Sequence, residues 1–298
     1  MHGLMLLGTF FWAANIIAGK FALQSVSALT LAQARVTGAA VIFLAAWALS
    51  RNRPRLQLTI QDWAYLFVTA LFGITLNQLF FIGGIGRTSA AHAGLIIALG
   101  PVMVLILSCA MQLEALTVLK SLGAAVSLAG VGVLTTGRAQ GGNPSTLTGD
   151  VITLMGTAVF AYYTILLKKV ATRYDALSLN TLLFSMGAVL MLPFTARDLV
   201  RTHWTALPPQ AWWGIAFMVT LGSVVAYSIY AFALTELTAT RVAAFNYLQP
   251  VIAAALGVWL LSEALTMHVI MGGVLILLGV YLAEREGRES TPPELEVT

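Results

Sequence analysis

Glu114-Ala115-Leu116-Thr117 returns letter for letter as Glu263-Ala264-Leu265-Thr266, an offset of 149 residues in a chain of 298. Each copy sits in the same frame. A proline stands thirteen residues before the glutamate and a glycine nine residues after it, as Pro101/Glu114/Gly123 and Pro250/Glu263/Gly272. Sliding the sequence on itself by 149 places, without a gap, lays Lys20 on Lys169, Gly38 on Gly187, Trp63 on Trp212, Gly73 on Gly222 and Gly130 on Gly279. One offset that holds from the first apolar segment to the fifth is an internal duplication.

What is duplicated follows from composition. The chain is 59% hydrophobic and 9% charged, with mean hydropathy +0.87. A soluble domain carries about 25% charged residues. A single core of this length cannot hide so much apolar surface, so much of it faces lipid. Ten apolar segments are expected, at 3–23, 29–49, 62–82, 90–112, 116–136, 149–168, 177–196, 211–234, 239–261 and 265–284. Several reach the roughly 20 residues that cross a bilayer as a helix. Residues 3–23 are read as a retained span, because no positively charged stretch precedes them. The fold class is thus all-α and polytopic. Residues 1–136 form one five-helix repeat, 137–148 a linker and 149–284 the second repeat. The charged tail 285–298 is expected to be disordered.

Five crossings per copy are an odd number, so the second copy starts on the opposite side of the membrane. The repeat is expected to be inverted, an architecture that recurs in secondary transporters, with the cargo near the midplane and access alternating between the two sides. With both termini placed in the cytoplasm, Lys and Arg fall ten to the inner ends and five to the outer, with Arg35 inside a span. This agrees with the positive-inside rule.

Other function classes find little support. The net charge of +4 is the modest excess of cytoplasmic loops rather than a nucleic-acid footprint. Cys109 is a single cysteine, so there is no internal disulfide, and His2, His92, His203 and His268 are scattered without metal-ligand or triad spacing. No phosphate-binding glycine loop followed by Lys-Ser/Thr occurs. Neither an enzyme nor a cofactor is expected. None of the acidic residues lies near the middle of a span, where a carboxylate relay for Na⁺ or H⁺ belongs. Downhill movement is therefore the simpler expectation.

The first span carries Gly8-x3-Trp12-x2-Asn15-x4-Lys20, and both copies carry the Pro/Glu/Gly frame given above. In these residues, over 3–284, the chain resembles the drug/metabolite transporter superfamily, specifically its ten-span EamA-type members. Among those it is most similar to amino-acid exporters of the YddG type. The resemblance implies a bacterial-type inner-membrane exporter of small metabolites, with amino acids first, aromatic ones included. Nucleosides or sugars are the alternative cargo, and a receptor or assembly subunit the alternative class. Small multidrug-resistance relatives hold cationic drugs on a membrane-embedded glutamate that the first span here lacks, so lipophilic cations are not the expected cargo. The second copy departs from the first-span pattern, with Ala161 opposite Trp12, Thr164 opposite Asn15 and Phe184 opposite Arg35. The halves cannot bind cargo symmetrically.

The candidate substrate-binding residues are the polar and aromatic ones inside spans. Gly8, Trp12, Asn15 and Gly19 share one helix face, either as a cavity wall or as helix packing. Asn77 and Gln78 are adjacent and point about 100° apart, so at most one is expected to face a cavity. Tyr163, Tyr227 and Tyr230 lie well inside spans, where a phenol needs a partner. Asn246 and Gln249 precede Pro250. Pro101 and Pro250 each remove a backbone donor and are candidate hinges, or static kinks. For Arg35, outward snorkelling or structural pairing is the first expectation and carboxylate binding the second. Structural hydrogen bonding is expected of His92. Glu114 and Glu263 are expected to start helices, against the positive dipole end. The small residues of the fifth and tenth spans pair inside a monomer or form a dimer face, and a monomer is favoured. The partners expected are thus a small-molecule substrate and lipid.

Overall fold

The computed structural model describes residues 1–50, 58–111, 117–136, 146–171, 173–236, 242 and 245–289, with side chains for all of these except 2, 135, 246, 247 and 283–289. The described residues form helices and no strand. The helices are α1 (His2–Ala22), α2 (Ala28–Leu49), α3 (Ile60–Ile85), α4 (Ala90–Ala110), α5 (Val118–Thr136), α6 (Leu147–Ala171), α7 (Ala176–Arg201), α8 (Pro209–Glu236), α9 (Gln249–Leu261) and α10 (Met267–Glu289). Seven are long and apolar enough to cross a membrane, and α5, α9 and α10 contain shorter apolar helices. Large apolar side chains such as Val200, Trp213 and Trp259 are more than three-quarters exposed. In water that surface would be unstable; against lipid it is the ordinary exterior, and helices are what satisfy the backbone there.

Local chemistry sets the helix ends. Ser27, Ser89 and Asp175 each accept a backbone N–H in the first turn of α2, α4 and α7, as N-caps do. Thr59 and Asp62 form a reciprocal capping box at the start of α3. Pro209 opens α8, where its missing N–H is no loss. Ser262, at φ 54°, stops α9 in the left-handed conformation. That turn aims Glu263 backward. Its carboxylate accepts the Ala90 N–H at 2.9 Å, capping α4. Glu263 therefore does not start its own helix, as its position before α10 had suggested; it serves the dipole of another. Glu114 lies outside the described residues.

Three departures from regular helix matter. α4 breaks between Ile97 and Gly100, because Pro101 has no N–H for the carbonyl four residues back. A 3₁₀ turn, Phe245–Leu248, leads into α9 just before Pro250. α3 and α8 each contain a π-helical segment, Leu71–Leu76 and Thr220–Val225. These two segments are offset by 149 at both ends, the same offset as the sequence repeat.

Packing crosses between the halves. α2 lies against α7, α5 against α10, α1 against α8, α3 against α6 and the first segment of α4 against α9. Gln33 joins α2 to α7 by donating to the Ala188 carbonyl at 3.0 Å and accepting from Thr195 at 2.7 Å. Ser127 donates to the Ile276 carbonyl at 3.2 Å. The backbones of α5 and α10 approach closely at Gly130, Gly272 and Gly279, so that stripe of small residues is used within the chain. α10 continues to Glu289, taking in the first five residues of the expected tail. The rest of the tail and linker positions 137–145 lie outside the described residues.

Candidate functional site

α1, α2, α3, α4, α6, α8 and α9 line a cavity of about 80 Å³, room for several waters or a small solute. Its most unusual component is Arg35, from α2. The residue is 2% exposed. Its Nε donates to Ser223 Oγ at 2.7 Å and its Nη2 to the Gly222 carbonyl at 3.0 Å. Its Nη1 has no partner. The guanidinium sits 5.5 Å from the Phe81 ring centroid. Among the described residues no carboxylate forms an ion pair with it. It does not snorkel; it is held inward by α8. A buried cation without a counter-ion is expensive in a membrane and marks a site by default.

The π segment of α8 explains how Arg35 is held. A π turn leaves carbonyls free of the regular ladder. The Gly222 carbonyl accepts from both Arg35 and the Trp12 indole, the latter at 3.2 Å. Gly222 also has no Cβ, and one would overlap the Asn15 amide. Asn15 lies in the cavity wall, 1% exposed, with Oδ1 unpartnered.

Both Asn77 and Gln78 line the cavity, contrary to the expectation that only one would. The wall bends around α3, so residues pointing about 100° apart both reach it. Asn77 leans toward α6 and donates to the Gly156 carbonyl at 3.3 Å. Gln78 leans toward α8 and donates to the Tyr227 hydroxyl at 2.9 Å. Tyr227 donates in turn to Asn77 Oδ1 at 3.4 Å. These bonds fix the amide of Gln78 and leave its Oε1 without a partner. The wall residues thus include one unpartnered cationic donor, on Arg35, and two unpartnered carbonyl acceptors, on Asn15 and Gln78, the Asn15 oxygen resting against Gly222 of α8. Trp12 closes it with rings: Phe160, Tyr227 and Tyr230 lie 5.8, 5.7 and 5.1 Å from it, centroid to centroid.

Of the other candidates, Gln249 reaches the wall. Tyr163 and Tyr230 do not. The Tyr163 ring lies over the backbone of Gly73, where a Cβ would overlap it. Tyr230 bonds with Thr164 Oγ1 at 2.8 Å, behind Trp12. Pro101 and Pro250 stand one residue outside, next to the lining residues Gly100 and Gln249. The Asn246 side chain lies outside the described residues. Thr153, Gly156, Thr157 and Phe160 of α6 also line the wall and are not among the sequence candidates. Their three- and four-residue spacing was a usable signal, the same stripe as in α1. The repeat counterparts of Trp12 and Asn15 on α6 are instead Ala161 and Thr164.

A second polar cluster lies toward one end. Lys20 is 3.6 Å from Glu263 and donates to the Thr88 carbonyl at 2.5 Å. His92 Nδ1 is 3.1 Å from Asp150, which also accepts from the Thr88 hydroxyl. Among the described residues no acid sits mid-span, but two are buried here.

Comparison with known proteins gives a consistent picture. The model of the EamA-like transporter family matches residues 1–136 and 147–284. A protein of Archaeoglobus fulgidus named "uncharacterized transporter" is 29% identical, the match covering 94% of this chain and 96% of that one. A "probable terminal-alkyne amino-acid exporter" of Streptantibioticus cattleyicolor is 26% identical, over 95% and 94% of the two chains. A crystal structure 19% identical superposes with TM-score 0.65 over 96% of each chain, a likeness of fold.

Proposed function

The chain belongs to the EamA-like transporter family, and from that premise we propose that it carries amino acids outward across a bacterial-type inner membrane, by alternating access between two inverted repeats. That it is an integral membrane transporter follows from the family and the apolar helices. The cargo is the proposal. The observation that carries it is that Arg35, Asn15 and Gln78 line one cavity and that each keeps a buried polar atom without a partner: Nη1 on Arg35 and the side-chain carbonyls of Asn15 and Gln78. An α-amino acid supplies the complement of both. Its carboxylate takes the guanidinium, and its ammonium takes the amide oxygens. Its side chain then lies among Trp12, Phe81 and Phe160, which favours apolar and aromatic cargo. A sugar or nucleoside would leave Arg35 buried and unpaired, which speaks against it.

The relative named an amino-acid exporter supports the same cargo class. Alternating access draws support from the shared offset of the sequence repeat and the π segments, and from the breaks at Pro101 and Pro250. Pro101 and Pro250 are assigned as hinges, because each begins a rigid segment directly beside the wall. The α5–α10 pairing is internal, which fits a monomer. The positive-inside count supports a cytoplasmic position for both termini.

Counterflow in proteoliposomes tests the cargo. Vesicles are loaded with one unlabelled amino acid, and entry of labelled phenylalanine or leucine is followed. Accelerated entry with apolar and aromatic amino acids is expected. Folded protein that accelerates none of the twenty overturns the cargo assignment.

A further inference from the structure

Four ionisable side chains are buried together where α1 and α9 finish and α4 and α6 begin. Lys20, His92, Asp150 and Glu263 are 4%, 1%, 3% and 8% exposed, and none of them lines the solute cavity. Lys20 and Glu263 balance each other, and Glu263 is further satisfied by the Ala90 N–H. That leaves the Asp150 carboxylate facing His92. With His92 neutral, the group holds one cation and two anions. With His92 protonated, the charges balance. An uncompensated buried charge is strongly unfavourable, so the proton count at His92 decides whether burial of this cluster is stable. His92 Nε2 is buried without a partner and Nδ1 is on Asp150. Among the described residues the other charged groups nearby do not supply the balance. Arg87, at the end of α3, is exposed and turned onto its own Gly83 carbonyl at 2.8 Å. His268, in the first turn of α10, is exposed.

The pair also stands on the way into the cavity. Asp150 shares a face of α6 with Thr153 and Thr157, both in the wall, and His92 lies on the segment of α4 that ends at the lining residue Ile97. Beside it an apolar plug joins Ile16, Ile17, Ile85, Ala90 and Ala93. The repeat supplies an internal control. At this end α1 packs along Pro209–Val219 and α6 along Asn77–Ile85; at the opposite end their counterparts, α6 with Ile60–Ala70 and α1 with Ala226–Glu236, touch far less. Among the described residues this is the more tightly packed end.

We propose that His92 and Asp150 form a proton-binding site, separate from the solute cavity, which holds this end shut when His92 is charged and lets it open when the proton leaves. Opening separates α4 from α6 and lets water reach Asp150, which a protonated His92 makes unnecessary and a neutral one makes favourable. The sign is therefore fixed. Rising pH opens the end.

Ala93, 0% exposed, reports the opening without any solute. Ala93→Cys is placed in a Cys109→Ser background, and the purified full chain is treated with a maleimide between about pH 5 and pH 8. Rates are normalised at each pH to the same cysteine in denatured protein. The normalised rate is expected to rise with pH, by up to about tenfold per unit for a one-proton switch. His92→Gln should react fast at every pH, and His92→Lys slowly at every pH. A flat curve in the parent, or the parent's curve in both variants, overturns the proposal. Slow labelling of His92→Lys cannot arise from unfolding, which would expose the thiol. Because no amino acid enters the measurement, its failure is distinct from failure of the cargo assignment.

Discussion

Arg35 is the residue on which the cargo reading turns. Its guanidinium spends two donors on Ser223 and Gly222 and keeps Nη1 for something else. A hydrogen bond to a charged group is worth roughly 1.5–3 kcal/mol, about ten- to hundredfold in affinity. Arg35→Gln is accordingly expected to raise the half-saturating concentration of an amino acid by that factor. The same change should abolish discrimination between phenylalanine and phenylethylamine, which lacks the carboxylate. Arg35→Lys should not rescue either effect, since a single ammonium cannot serve α8 and the cargo together. Counterflow competition with the two compounds decides; discrimination retained in Arg35→Gln would move the carboxylate contact elsewhere. The residue types of this site were legible in sequence: Trp12, Asn15, Asn77, Gln78, Tyr227 and Gln249 stand out as polar or aromatic residues inside apolar spans. Their division of labour was not. Whether a tyrosine faces the cavity or a neighbouring helix depends on what lies opposite, and Gly73 opposite Tyr163 is a tertiary fact.

At the scale of the element, the two π segments do the positioning. Each carries a glycine that admits a side chain from the other half: Tyr163 over Gly73 and Asn15 against Gly222. Filling these contacts should separate stability from function. Gly73→Ala overpacks a site away from the cavity wall and is expected to destabilise by about 1–3 kcal/mol, read as a lower thermal midpoint with little change in apparent affinity. Gly222→Ala pushes on Asn15 and shifts the carbonyl shared by Arg35 and Trp12, so apparent affinity should fall even where the thermal midpoint holds. Equal effects of the two on affinity would remove the special role of the α8 segment. The helices themselves follow from apolar runs and caps, and the proline breaks from a missing donor. The π segments had no such mark, because one extra residue in a turn leaves the hydrophobic pattern nearly intact. Glu263 shows the same limit in another form. Its place after α9 suggested the start of α10, yet the left-handed Ser262 turns it onto α4.

For the whole molecule, the duplication carries a geometric demand that packing alone does not satisfy. Gln78 meets Tyr227, and Ser127 meets the Ile276 carbonyl, each 149 positions apart. Residues related by the repeat can touch only near the axis that exchanges the halves. If each half crosses the membrane five times, that axis lies in the membrane plane and related positions away from it fall on opposite sides. Gln61 and Gln210 are such a pair, both exposed, at the starts of α3 and α8. In a Cys109→Ser background, Gln210→Cys is expected to react with a membrane-impermeant maleimide in intact cells. Gln61→Cys should react only after the membrane is opened, because the positive-inside count favours a cytoplasmic start of α3. The reverse pattern would keep the inverted repeat and exchange inside for outside, and with it the side whose pH His92 senses. Labelling of both cysteines from one side would rule out the inversion, and alternating access would then need a different pair of moving bodies.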